Sequence, residues 1–158
     1  METTAKDLAL VLPRLSLGAT MLHHGTQKLG AQGRAQTAQF LEQIGYRPGA
    51  RWATWLGAAE TFAGASVILG AATRLAALAV IVTQSVAVAK VHARKGFDIM
   101  AGGWEFNALI MATALGVLLA GPGTISVHEL VERRLEGGAR WLFSSRRRRA
   151  VALTKLLK

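Results

Sequence analysis

Seven titratable side chains fall within or at the ends of apolar segments: His23, His24, Lys28, Glu60, Lys90, His92 and Glu105. A charge inside a bilayer is costly and by default marks a pairing or functional site. His24 and Lys28 are four residues apart and share one helical face. At about 1.5 Å per residue, His24 lies roughly 8 Å from the far end of its segment, and Glu60 roughly 12 Å from the start of the next. All seven groups therefore gather at one end of a helical bundle. Lys28–Glu60 and Lys90–Glu105 would pair opposite charges there. Such pairs either only fix helix register or neutralise each other beside an apolar cavity that takes a small molecule such as a quinone. His24, Lys28, Glu60, Lys90, His92 and Glu105 are thus ligand-binding candidates, and no catalytic residue is assigned. Haem iron on His23, His24 or His92 is a lesser alternative, because nothing else in the sequence specifies it. A proton relay is another. No spacing matches a hydrolytic triad, a phosphate loop or a metal site.

The elements that must position these groups are apolar helices. The chain has 158 residues, 51% of them hydrophobic and 18% charged, with a mean hydropathy of +0.31. A soluble domain carries about a quarter charged residues, and here the charge clusters around residues 28–51, 90–105 and after 128. Between the clusters run segments near the length of about 20 residues that spans a bilayer. The sequence predicts an all-α integral membrane four-helix bundle, residues 1–130, with spans at about 8–29, 52–71, 74–91 and 105–120. Gly70 to Thr73 make a tight turn, and Gly121-Pro122-Gly123 breaks the fourth span. Phe40, Leu41, Ile44 and Tyr46 among polar neighbours predict a short interfacial helix after the first span, ending at Gly45. The glycine-rich segment 92–104 is expected to be an ordered loop. Gly18 and Gly25, like Gly57 and Gly64, are seven apart and allow close helix approach.

Residues 131–158 form a basic amphipathic tail in which Trp141 adjoins Arg146, Arg147, Arg148 and Arg149. These five are candidate contacts for anionic lipid headgroups or for a docked protein. The net charge of +10 clusters at segment ends, which favours lipid over nucleic acid. With four spans, Lys6, Arg14, Arg74 and nine basic tail residues share one face, against seven basic residues on the other. The positive-inside rule then puts both termini in the cytoplasm. Arg14 interrupts the first apolar stretch and no small-residue cleavage site comes after it, so that stretch reads as a retained helix rather than a signal peptide. The absence of cysteine excludes disulfides and thiolate chemistry within the chain.

In order along the chain stand Arg14-Leu-Ser-Leu-Gly18, His24-Gly25-x-x-Lys28-Leu29, Leu56-Gly57-x-x-Glu60-x-x-x-Gly64 and Gly70-x-x-Thr73-Arg74-x-Ala76. Next come Val91-His92, Gly96-Phe97, Gly102-Gly103-Trp104-Glu105-Phe106 and Gly121-Pro122-Gly123. Through these pieces, over roughly residues 8–130, the chain resembles the DoxX family of small bacterial membrane proteins. The resemblance implies a four-helix bundle in the bacterial inner membrane and a link to membrane oxidoreductase systems, including a thiosulfate:quinone oxidoreductase. Carried over by position, it makes His24, Lys28, Glu60, His92 and Glu105 the site. The arginine-rich tail departs from the pattern.

The expected function is that of an accessory membrane subunit supporting or anchoring a redox complex, without an intrinsic cofactor, with quinone as ligand and protein partners in the membrane. One alternative is a catalytic subunit that passes electrons from a sulfur anion to quinone, drawn by a cationic outer face. Another is a structural subunit of a large respiratory or photosynthetic assembly.

Overall fold

The computed structural model describes residues 2–138. Its helices are α1 (Glu2–Leu29), α2 (Ala31–Gln43), α3 (Gly49–Leu69), α4 (Thr73–Ala87), α5 (Glu105–Ala120) and α6 (Val127–Gly138). α4 runs on through a π turn, Val88–His92, and a 3-10 turn, Ala93–Lys95. No strand occurs among the described residues, so the all-α expectation holds. The fourth expected segment coincides with α5. α3 starts three residues earlier than the sequence suggested, because Pro48 at its N-cap needs no N–H partner and presets φ. α2 stops at Gln43, and Gly45 turns the chain at a φ of 96°. Trp141 and Arg146 to Arg149 lie outside the described residues.

Of the four expected spans, one passes on length and composition alone among the described residues: the helix Thr73–Lys95. α5 is apolar but only 16 residues long. α1 and α3 are diluted by Arg14, His23, His24, Lys28 and Glu60. Three of these five, Arg14, Lys28 and Glu60, are engaged inside the bundle. The outward surfaces are apolar on all four long helices: Leu12 and Leu15 on α1, Trp55 and Phe62 on α3, Leu75 and Val82 on α4, Leu109 and Leu119 on α5 are exposed. The core is built instead from small residues and a few larger ones, among them Ala63, Ala76, Ala77 and Ala114 with Met21, Val67 and Val80. Large apolar side chains outside and small ones inside is the distribution expected where helices pack without a hydrophobic drive between them.

α1 and α3 meet backbone to backbone, and the close approach that the glycine spacing allows is between these two helices. A Cβ on Gly64 would stand 2.5 Å from the Leu22 nitrogen, and one on Gly18 would stand 2.8 Å from the Gly64 carbonyl oxygen. Neither neighbour can yield, since both are main chain. Gly64→Val is therefore expected to separate the two helices and lose about 3 kcal/mol, the upper end of the range for overpacking a well-filled core. Unfolding in mixed micelles titrated with SDS would read that loss, and Gly116→Val, where an added Cβ meets nothing, is the matched control.

Candidate functional site

α1 ends in the turn that carries His24 and Lys28, and α3 presents Glu60 to it across the glycine contact. Lys28 Nζ donates to Glu60 Oε2 at 2.6 Å. Glu60 is buried and Lys28 half-buried. The same ammonium reaches back to the His24 carbonyl at 3.4 Å. His24 is half-buried and stands edge-on to Phe106 of α5 with centroids 6.5 Å apart, while His23 lies 5.5 Å from it on the exposed side. Three helices thus contribute to one cluster: a neutralised ion pair, an imidazole and a phenyl ring. Such a group can donate hydrogen bonds to a carbonyl oxygen and stack against a flat ring without holding a net charge in an apolar setting.

The other candidates stand apart from this cluster. His92 Nδ1 lies 2.7 Å from the Gly102 carbonyl oxygen, so it donates to that oxygen and leaves Nε2 as the second ring nitrogen. Glu105 accepts from the Ile99 amide at 3.0 Å. Both residues hold the 93–104 segment, where the structure has two 3-10 turns, Ala93–Lys95 and Ile99–Ala101, within the expected loop. There Asp98 accepts from the Met100 amide and Phe97 is edge-on to Trp104 at 4.8 Å. The suggested Lys90–Glu105 pair does not form among the described residues. Lys90 is exposed in the π turn, and the extra residue of that turn rotates the later residues away from a regular helical register.

Two groups escaped the sequence reading. Asn107 Nδ2 donates to Gln84 Oε1 at 2.7 Å, a buried amide pair joining α4 to α5 one residue beyond Phe106. The signal was present, since each is an amide in an apolar run, where polar side chains act as interhelical links. The second is Arg14. It is buried, and its guanidinium donates to the carbonyls of Val67 (3.0 Å), Ile68 (2.9 Å), Pro122 and Ile125 (2.8 Å). Val67 and Ile68 belong to the last turn of α3, where the dipole favours a cation; the Val67 carbonyl also accepts from the Gly70 amide at 3.3 Å. Gly70 closes that turn in the left-handed region at a φ of 68°, and a Cβ there would meet Ser126 at 2.5 Å. Beside Arg14, between α1 and α5, a lateral groove of about 410 Å³ is bordered by Leu10, Pro13, Ala112, Gly116 and Ala120. It lies at the opposite end of the bundle from the Lys28 cluster. Among the described residues, no three His, Asp or Glu side chains gather to hold a metal ion.

A helical bundle with an apolar exterior, small residues inside, an ion pair near one end and a guanidinium satisfied by carbonyls at the other has the build of a small membrane protein. The DoxX family model matches residues 9–93, more than half the chain, and the protein belongs to that family. Neither the curated proteins nor the solved structures contain a match.

Proposed function

We propose that this chain is an accessory subunit of a redox complex in the bacterial inner membrane, and that the Lys28 end of the bundle receives the head of a quinone. In this reading α1, α3, α4 and α5 all cross the bilayer, both termini are cytoplasmic, and electrons come from a partner protein. Family membership, a family associated with oxidoreductase functions, supports the redox setting. The apolar exterior of all four helices supports four crossings, since exposed residues such as Leu12, Trp55, Phe62 and Leu119 form the kind of apolar surface that lipid covers. The observation that carries the ligand reading is the 2.6 Å Lys28–Glu60 pair beside His24 and Phe106. Lys28 or His24 would donate to a quinone carbonyl, Glu60 would keep the ammonium neutralised, and Phe106 would flank the ring.

A second reading has one observation of its own. Lys28 and Glu60 bridge α1 and α3 where those helices already touch through Gly25 and Gly57. That is also what a plain register lock in a structural subunit would look like. Purification in mild detergent, followed by solvent extraction, separates the two. Quinone is expected to co-purify in near-stoichiometric amount and to fall several-fold in His24→Ala, whose side chain takes no part in the ion pair, while helix content is unchanged. Quinone absent from the wild type, or unaffected by His24→Ala, leaves the register lock.

A further inference from the structure

Among the described residues α6 is amphipathic the wrong way round for a helix packed on a soluble core. It turns His128 and Glu132 toward the bundle, at 8% and 9% exposure, and leaves Leu130 and Val131 at 53% and 43%. Its position is fixed by the main chain. The His128 amide donates to the Gly70 carbonyl at 3.3 Å, and Arg14 holds the Ile125 carbonyl just upstream. Ser126 Oγ accepts from the Glu129 amide at 3.1 Å and so caps the first turn. At about 100° per residue, Val127, Leu130, Val131 and Leu135 form one face centred roughly 110° round the helix from His128 and Glu132. The Glu129–Arg133 ion pair, 2.9 Å long, lies roughly 150° from that apolar face. The helix therefore has three sides: one on the bundle, one apolar, and one charged and opposite the apolar one.

We infer that α6 lies in the membrane–water boundary as an anchor, with Val127, Leu130, Val131 and Leu135 sunk into an anionic lipid surface. A helix tethered to the end of a membrane-crossing bundle meets hydrocarbon on one side and water on the other, and α6 matches both. Arg134 stands within the apolar face, where its long stem lies along lipid while the guanidinium reaches a headgroup phosphate. Charge complementarity selects acidic lipid through the stretch that follows α6 in sequence. α6 itself carries two basic residues against three acidic ones, but residues 139–158 carry seven basic residues and no acidic one, and each cation near such a surface adds about 1 kcal/mol. This inference rests on the four-span placement proposed above but not on the redox role.

The chain has no cysteine, so Val131→Cys, Leu130→Cys, Arg133→Cys and, in mid-α5, Leu115→Cys each give one site for a spin label. The full-length protein is reconstituted at high lipid-to-protein ratio in phosphatidylglycerol-containing vesicles and in phosphatidylcholine alone. With acidic lipid, labels at 130 and 131 are expected about 5–10 Å into the headgroup–acyl boundary, with oxygen accessibility several-fold above that at 133. In neutral lipid or high salt they should move outward. Labels at 130 and 131 in water in both vesicles, while 115 reports hydrocarbon, would overturn the anchor and leave the four-span placement standing. If 115 also reports water, the placement fails first. Equal depth in the two lipids removes the selection for acidic headgroups, and labels shielded from oxygen and from a water-soluble nickel chelate alike assign the face to a second copy of the chain.

Discussion

Arg14→Ala is expected to cost about 4 kcal/mol of stability and to release the end of the bundle where three separate stretches of chain converge. One guanidinium donates to four carbonyls, from Val67, Ile68, Pro122 and Ile125. Hydrogen bonds from a charged donor contribute about 1.5–3 kcal/mol each, though four on one group do not add in full. Removal also strips the last turn of α3 of the cation its dipole favours, worth up to about 2 kcal/mol in partly buried geometry. Alanine fills none of the vacated space, so Pro122 and Ile125 lose their tie to α1. Arg14→Lys should recover only part of the loss, because an ammonium cannot fork between α3 and the Gly121-Pro122-Gly123 turn. Unfolding titrated with SDS would report the loss. Limited proteolysis would localise it, with new cleavage near residues 123–127 in Arg14→Ala. A variant that unfolds like the wild type and resists cleavage there would contradict the clamp.

The second large effect is expected at the other end. Glu60→Gln keeps the shape of the side chain but leaves the Lys28 ammonium half-buried without its carboxylate. Breaking one partner of a buried pair costs on the order of 3 kcal/mol, whereas replacing both with apolar residues is often neutral. Lys28→Met with Glu60→Leu is therefore expected to lie within about 1 kcal/mol of the wild type, well above either single variant. If the double variant instead loses the sum of the singles, the pair is not what stabilises this end. The same protein separates stability from ligand chemistry. Restored stability with quinone lost assigns the pair to the ligand, while restored stability with quinone kept makes it a register lock alone.

How far these residues could be read in advance depended on the kind of information each carries. Gly18 with Gly25, and Gly57 with Gly64, were legible as close-approach faces because a period of seven is a local property of a helix; that the two faces meet each other, α1 against α3, came from the structure. Lys28 with Glu60 was legible because two opposite charges at similar depth on consecutive helices have few other ways to be satisfied in an apolar surrounding. Lys90 with Glu105 obeyed the same logic and failed. Lys90 sits inside the π turn at Val88–His92 and is exposed, and the 93–104 segment supplies a backbone amide to Glu105. Neither is visible in hydropathy.

The sequence by itself determined the helical class, the extent of α5 and the concentration of charge at segment ends, which come from composition and periodicity along one dimension; the family came from the order of its motifs. Only the tertiary structure decided which seven-residue neighbours became partners across helices. It turned Arg14 from an interruption in an apolar stretch into a clamp on four carbonyls, and it joined Asn107 to Gln84. It also gave α6 an outward apolar face. A hydrogen bond to a carbonyl leaves no trace in the acceptor's residue type, so the sequence could place Arg14 in a motif and count its charge but could not show the four carbonyls it holds. The cluster of titratable groups near one end, by contrast, was foreseen in place and corrected in membership: His24, Lys28 and Glu60 meet there, while His92 and Glu105 hold the neighbouring loop.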